Sequence, residues 1–223
     1  MPTQGMDESH DSAEDEDQDG TGDECHGHAG ERDGPAEGHH TFPAENADRL
    51  EDAVARYRRV SAEELCWALD LPGGTVLDVG SGTGFYADDV APRADRVVGL
   101  DVQPAMHTYY REKGIPENVR LVAASGDAVP LTDGSVDAAY ATMTYHELPR
   151  ARTLAELARV LADGGRVVLA DWSADGEGES GPPLDERFTA DDAASHLREV
   201  GFSVVHEAVR PETFLVVGER DAR

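Results

Sequence analysis

The chain has 223 residues, of which 39% are apolar, enough for one domain with a real core plus a tail. It carries 46 Asp+Glu against 19 Lys+Arg, a net charge of −27, and only one of the bases is a lysine, Lys113. Such an acidic surface repels phosphate backbones and anionic lipid, and no run of apolar residues is long enough to span a bilayer, so neither nucleic acid nor membrane is expected as a partner.

The acid is unevenly spread. Residues 1–40 hold 13 Asp+Glu and one base, Arg32, with almost no large apolar side chains. Such a tract cannot bury enough apolar surface to offset its ordering entropy, so residues 1–43 are expected to form a disordered, acidic, His-containing tail. The tail includes Cys25-His26-x-His28, donors suited to a soft or borderline metal, but the spacing matches no closed zinc pattern and no metal site is assigned. The domain, residues 44–223, still carries 33 acids against 18 bases. Carboxylate excess with arginine in place of lysine is the composition expected of a protein working in concentrated salt, where self-repulsion is screened. Two cysteines, Cys25 and Cys66, make no disulfide framework, and no basic–apolar leader opens the chain. Both features suit a cytoplasmic protein.

From residue 44 onward helix and strand alternate. Leu50, Val54, Tyr57 and Val60 are spaced for one face of a helix over residues 44–60. Ser61 with Glu64 reads as a capping box opening a helix through Leu65, Trp67 and Leu69, which stops at Pro72-Gly73-Gly74. A buried strand follows at 75–79, and further β-rich runs lie at 96–101, 119–124, 136–142, 166–171, 204–209 and 214–218. Helical stretches at 85–91, 104–113 and 150–161 fall between the first five strands, and Thr189 caps another over 189–200. The alternation predicts an α/β Rossmann-like sheet of seven strands, mostly parallel, covered by helices on both faces and closed by an antiparallel hairpin at 210–213.

The loop after the first strand, Val76-Leu-Asp-Val-Gly80-Ser-Gly82-Thr-Gly84-Phe85, lies where such sheets bind nucleotide-like ligands. Its spacing departs from the dinucleotide fingerprint, because Phe85 stands where the third glycine should be, and no lysine is present for a phosphate cradle. Asp78, inside the strand, disfavours a pyrophosphate and favours a cationic ligand. S-adenosylmethionine, with a sulfonium and an ammonium, fits that charge.

These residues resemble motif I of the class I S-adenosylmethionine-dependent methyltransferases, in particular the small ubiquinone/menaquinone-biosynthesis-like group. The likeness continues in register through residues 97–106, 124–130, 133–137 and 157–169. It implies a cofactor site in which Asp101 accepts from both ribose hydroxyls and Val102 lies against the adenine. Asp127 would accept from the adenine amino group and Ala128 would offer its backbone N–H. Gly80, Ser81, Gly82 and Gly84 would supply close backbone, with Asp78 and Ala141 completing the set. One departure stands out: Asp163 replaces the usual proline of the Pro-Gly-Gly turn before the fifth strand.

The implied reaction is in-line transfer of a methyl group to a small-molecule acceptor, since no insertion large enough for a cap domain interrupts the fold. His146, in the loop after the fourth strand, is the candidate general base, with Tyr145 and Glu147 behind it. Asp171-Trp172, at the end of the fifth strand, faces the same mouth, Tyr57 or Tyr86 could close over the cofactor, and residues 173–183 read as a mobile loop. Arsenite is disfavoured as a substrate because the domain contains a single cysteine. Two other readings remain open: a cofactor-binding protein without methyl transfer, and a metal-handling protein using the His/Cys tail.

Overall fold

The computed structural model describes residues 41–71 and 73–222; the acidic tract at 1–40, with its Cys/His cluster, lies outside the described residues. Seven strands, β1 (Thr75–Val79), β2 (Arg96–Asp101), β3 (Val119–Ala123), β4 (Val136–Thr142), β5 (Leu161–Trp172), β6 (Phe202–Val209) and β7 (Thr213–Arg220), form one sheet in the order β3-β2-β1-β4-β5-β7-β6. β1 to β5 run parallel and β7 lies antiparallel between β5 and β6, as the alternation and the terminal hairpin predict.

Successive residues of each central strand face opposite sides of the sheet. Leu77, Val79, Ala139, Ala141 and Leu169 pack under α5 (Arg150–Val160) and α6 (Ala190–Glu199). Val76, Ala138, Tyr140 and Val168 pack under α2 (Ala62–Leu69), α3 (Phe85–Val90) and α4 (Pro104–Lys113). Both faces are therefore apolar, and the strands read as continuous rather than alternating hydrophobic runs. The order reverses between β1 and β4, so a crevice opens beyond the strands' carboxyl ends. Among the described residues, no helix is long and apolar enough to cross a membrane.

Local structure departs from the sequence reading in three places, the helix over 44–60, the Ser61 cap and Trp67. Residues 44–60 are not one helix: a 3-10 segment (Ala44–Glu51) ends at Asp52, whose side chain caps α1 (Ala53–Arg59) by accepting from the Ala55 N–H. Val54 and Tyr57 consequently face solvent. Ser61 does accept from the Glu64 N–H, but the Glu64 carboxylate pairs with Arg210 rather than returning to the cap. Trp67 is exposed, and α2 packs through Leu65, Ala68 and Leu69 instead. Between β3 and β4 there is no helix, only loop. Thr189 forms the full reciprocal cap with Asp192 at the start of α6.

Candidate active site

The glycine loop is held by main-chain bonds. The N–H groups of Gly80 and Ser81 both donate to the Leu100 carbonyl at the end of β2, at 2.8 and 2.9 Å. Gly80 sits at φ +72°, and a Cβ there would lie 2.2 Å from Thr144 Cγ2, so no other residue fits. Asp101 ties the loop to the next strand end: one carboxylate oxygen accepts from the Gly82 N–H and the other from the Gln103 N–H, both at 2.8 Å. Its side chain is thus fixed at the mouth of a 630 Å³ cavity, within the range of small-ligand sites. Gly80, Ser81, Gly82, Asp101 and Val102 all line that cavity.

Asp78 sits behind this wall and is 2% exposed. Burial pushes its carboxyl up to about 7, against the opposing influence of the Tyr140 hydroxyl and the Arg56 guanidinium. It is not among the residues that line the cavity.

The other predicted residues fall elsewhere. Gly84 is off the cavity wall: at φ +76° it opens α3, and a Cβ there would strike the Tyr110 ring at 2.0 Å, so its glycine serves packing. Ala141 is also off the wall, because strand alternation turns it into the core with Ala139 and Leu169. The third-strand loop reaches the cavity through Ala124, Ser125 and Gly126; Asp127 and the exposed Ala128 follow just beyond the lining.

The opposite wall comes from distant segments. His146 lies in a 3-10 turn (Tyr145–Glu147) after β4. Its backbone N–H donates to Asp171 Oδ2 at 2.8 Å, and its Nδ1 is 2.9 Å from Oδ1 of the same carboxylate. With Nδ1–H donated to Asp171, Nε2 is the basic nitrogen of the neutral ring. Burial works to lower the imidazole pKa, but the Asp171 and Glu147 carboxylates outweigh it and the net shift is upward. Glu147 Oε1 lies 3.7 Å from Nε2, and burial raises the Glu147 carboxyl to about 7. A base flanked by two carboxylates can accept a proton and hold the resulting charge.

Asp171, at the end of β5, faces this mouth as the sequence places it, but its bond to His146 was not foreseen. It is 1% exposed and holds both the His146 ring and the Trp172 N–H. A carboxylate following the apolar run Val167-Val-Leu-Ala170 was the available signal. Tyr57 and Tyr86 do not close over the cavity: Tyr57 bonds Asp89, and Tyr86 donates to the Arg56 and Val60 carbonyls. The loop over residues 173–183 is braced by Arg187, which donates to the carbonyls of Ser173, Ser180 and Pro182 and pairs with Glu212.

A family profile for a methyltransferase domain matches residues 77–169, from β1 to β5. An O-methyltransferase of Aspergillus nomiae is 30% identical over 177 residues, covering 72% of this chain and 77% of its own. The chain belongs to the class I S-adenosylmethionine-dependent methyltransferases. A methyltransferase of Mycobacterium tuberculosis is 33% identical over 153 residues, 61% of this chain. The methyltransferase described here spans 62% of that relative's length. An arsenite methyltransferase of Halobacterium salinarum is 31% identical over 168 residues, 68% of this chain and 43% of its own. Among solved structures, a SAM-dependent methyltransferase from Aquifex aeolicus superposes with a TM-score of 0.72 at 28% identity, over 80% of this chain and 99% of that one.

Proposed function

We propose that this methyltransferase binds S-adenosylmethionine along the ends of β1, β2 and β3 and methylates a small-molecule acceptor seated between α1 and the ends of β4 and β5. The observation that carries the reading is the Asp101 carboxylate, fixed by two backbone N–H groups at the mouth of a cavity whose far wall holds His146. The residues present fit the cofactor. A carboxylate with both oxygens anchored still has lone pairs for a ribose diol, Gly80 and Gly82 leave the loop without side chains, and Asp78 favours a cation. Val102 would then lie against the adenine, with Asp127 and Ala128 at the rim of that pocket.

The cofactor supplies an already activated methyl group on its sulfonium. The chain's task is to hold the acceptor in line, to exclude water, and to take up a proton where the nucleophile carries one. His146 Nε2 accepts that proton, and Asp171 and Glu147 stabilise the imidazolium. Cys66 is the only domain cysteine, and burial raises its thiol pKa, which argues against thiolate ligation of arsenic. The acid excess of the domain supports a protein active at high salt, and Thr41, Phe42 and Pro43, which the sequence assigns to the tail, line the cavity instead.

Calorimetric titration with S-adenosylhomocysteine in multimolar KCl tests the reading. Binding at one site, weakened about 10–100-fold in Asp101→Ala, is expected. No binding to the parent chain would overturn it and would favour a working role for the His/Cys tail.

A further inference from the structure

Among the described residues, four buried or half-buried arginines meet an acid. Arg159 pairs with Glu156 and Asp133, Arg166 with Asp70 and Glu219, Arg187 with Glu212, and Arg210 with Glu64. Arg56, Arg59, Arg150 and Arg220 have no such ion pair within the described residues, and of these Arg56 and Arg59 line the cavity. Neither is ion-paired with any carboxylate of the described residues, although the chain holds 46 acids.

Arg56 is only 9% exposed, and its buried Nε has no hydrogen-bond partner. The guanidinium lies against aromatic rings, 4.6 Å from the centroid of Tyr86 and 5.3 Å from that of Phe85. The carboxylate influencing it most, Asp78, is itself partly protonated near neutrality and leaves the cation undercompensated. Arg59 sits three residues along α1, on the same face, with its guanidinium 4.5 Å from the Trp172 ring centroid. Both arginines line the cavity. Burial and the neighbouring Arg56 charge lower the Arg59 pKa, as expected of two cations with no anion between them.

Holding two cations side by side in a partly buried cavity is unfavourable unless an anion joins them. Guanidinium forks match carboxylate geometry, and each charge-assisted bond is stronger than a neutral one. We infer that Arg56 and Arg59 form a carboxylate-binding subsite for the methyl acceptor, so that the acceptor is an anionic small molecule oriented by the Arg59–Trp172 stack. Trp172 follows Asp171 in the chain, so the stack and the His146 dyad grow from the same strand end. The subsite would hold the acceptor's carboxylate while its nucleophile faces the base. This inference rests on the proposed methyl transfer. The cofactor's own amino-acid carboxylate is the other source of the same chemistry.

The test titrates benzoate and its neutral isostere benzamide, by calorimetry, into the protein saturated with S-adenosylhomocysteine. Benzoate is expected to bind about tenfold more tightly than benzamide. Arg59→Gln should erase that preference and leave the S-adenosylhomocysteine Kd within about twofold, while Arg59→Lys retains part of the preference. Equal binding of the two probes, or no benzoate binding, overturns the inference without needing a folded variant. A tenfold or greater loss of S-adenosylhomocysteine affinity in Arg59→Gln, with the benzoate preference intact, also overturns it and gives the pair to the cofactor. Failure of S-adenosylhomocysteine to bind the parent chain is a separate result, against the proposed function itself.

Discussion

The two walls of the cavity are built differently. The wall around Gly80, Gly82 and Asp101 comes from two adjacent strand ends within 24 residues, joined by backbone N–H groups to a carbonyl and a carboxylate. The opposite wall gathers Arg56, Arg59, His146 and Trp172 from α1, the loop after β4 and the end of β5, with Asp171 behind His146. Main-chain N–H groups hold the first wall together. The second is made of titratable side chains over 100 residues apart, so its charge state can be changed by single substitutions. One wall suits an invariant ligand, the other a particular acceptor and its proton.

The largest effect should come from the second wall. His146→Ala is expected to lower turnover by about 10²–10⁴-fold, the usual contribution of a positioned base, and to leave S-adenosylhomocysteine affinity nearly unchanged. Near-normal turnover would leave His146 as a loop-ordering residue. Asp171→Asn sharpens the point: without the carboxylate that raises the imidazole pKa, burial prevails and the midpoint of the pH–rate profile should move down. An unmoved midpoint would separate Asp171 from the titrating group.

A smaller effect belongs to the first wall. Asp101→Ala removes the acceptor of two N–H bonds and of the proposed diol contacts, and should weaken S-adenosylhomocysteine binding by about 10–100-fold. Turnover at saturating cofactor should change little. A large loss of turnover with intact affinity would erase the division between the walls.

The smallest effect is on stability. Asp78 and Glu147 titrate near 7 in the folded chain, above their ordinary values, so the folded state holds more protons than the unfolded one between about pH 4 and 7. Their contribution therefore falls as pH rises through that window, and the raised His146 pKa acts in the same direction just above it. The Tm should drop by several degrees from roughly pH 5 to 8, since ~1 kcal/mol moves the Tm of a chain this size by ~2–4 °C. Glu147→Gln should flatten that slope. An unchanged slope would mean that Glu147 ionises freely.

The first wall was legible in the sequence because its parts are local: a glycine run ending an apolar strand, and an acid ending the next. The second wall was legible in His146 and in the strand end Asp171-Trp172, but not in their bond or in the arginines of α1, since nothing in the chain links these segments. The helix periodicity over 44–60 misled for a related reason. Leu50, Val54, Tyr57 and Val60 have the right spacing, but Asp52 gains more by capping α1 than the chain gains by continuing the turn, and Val54 is left in solvent.

By itself the sequence determined the alternation of strand and helix, the parallel sheet with its terminal hairpin, and the glycine–carboxylate arrangement at its crevice. All of these follow from short-range rules of period, turn chemistry and burial. Only the tertiary structure decided which side chains meet across the crevice. It turned Ala141 and Gly84 into packing, left Arg56 and Arg59 without acids, and placed Asp171 behind His146. Those outcomes depend on how the order of strands brings distant ends together, and such proximity leaves no periodic trace in the chain.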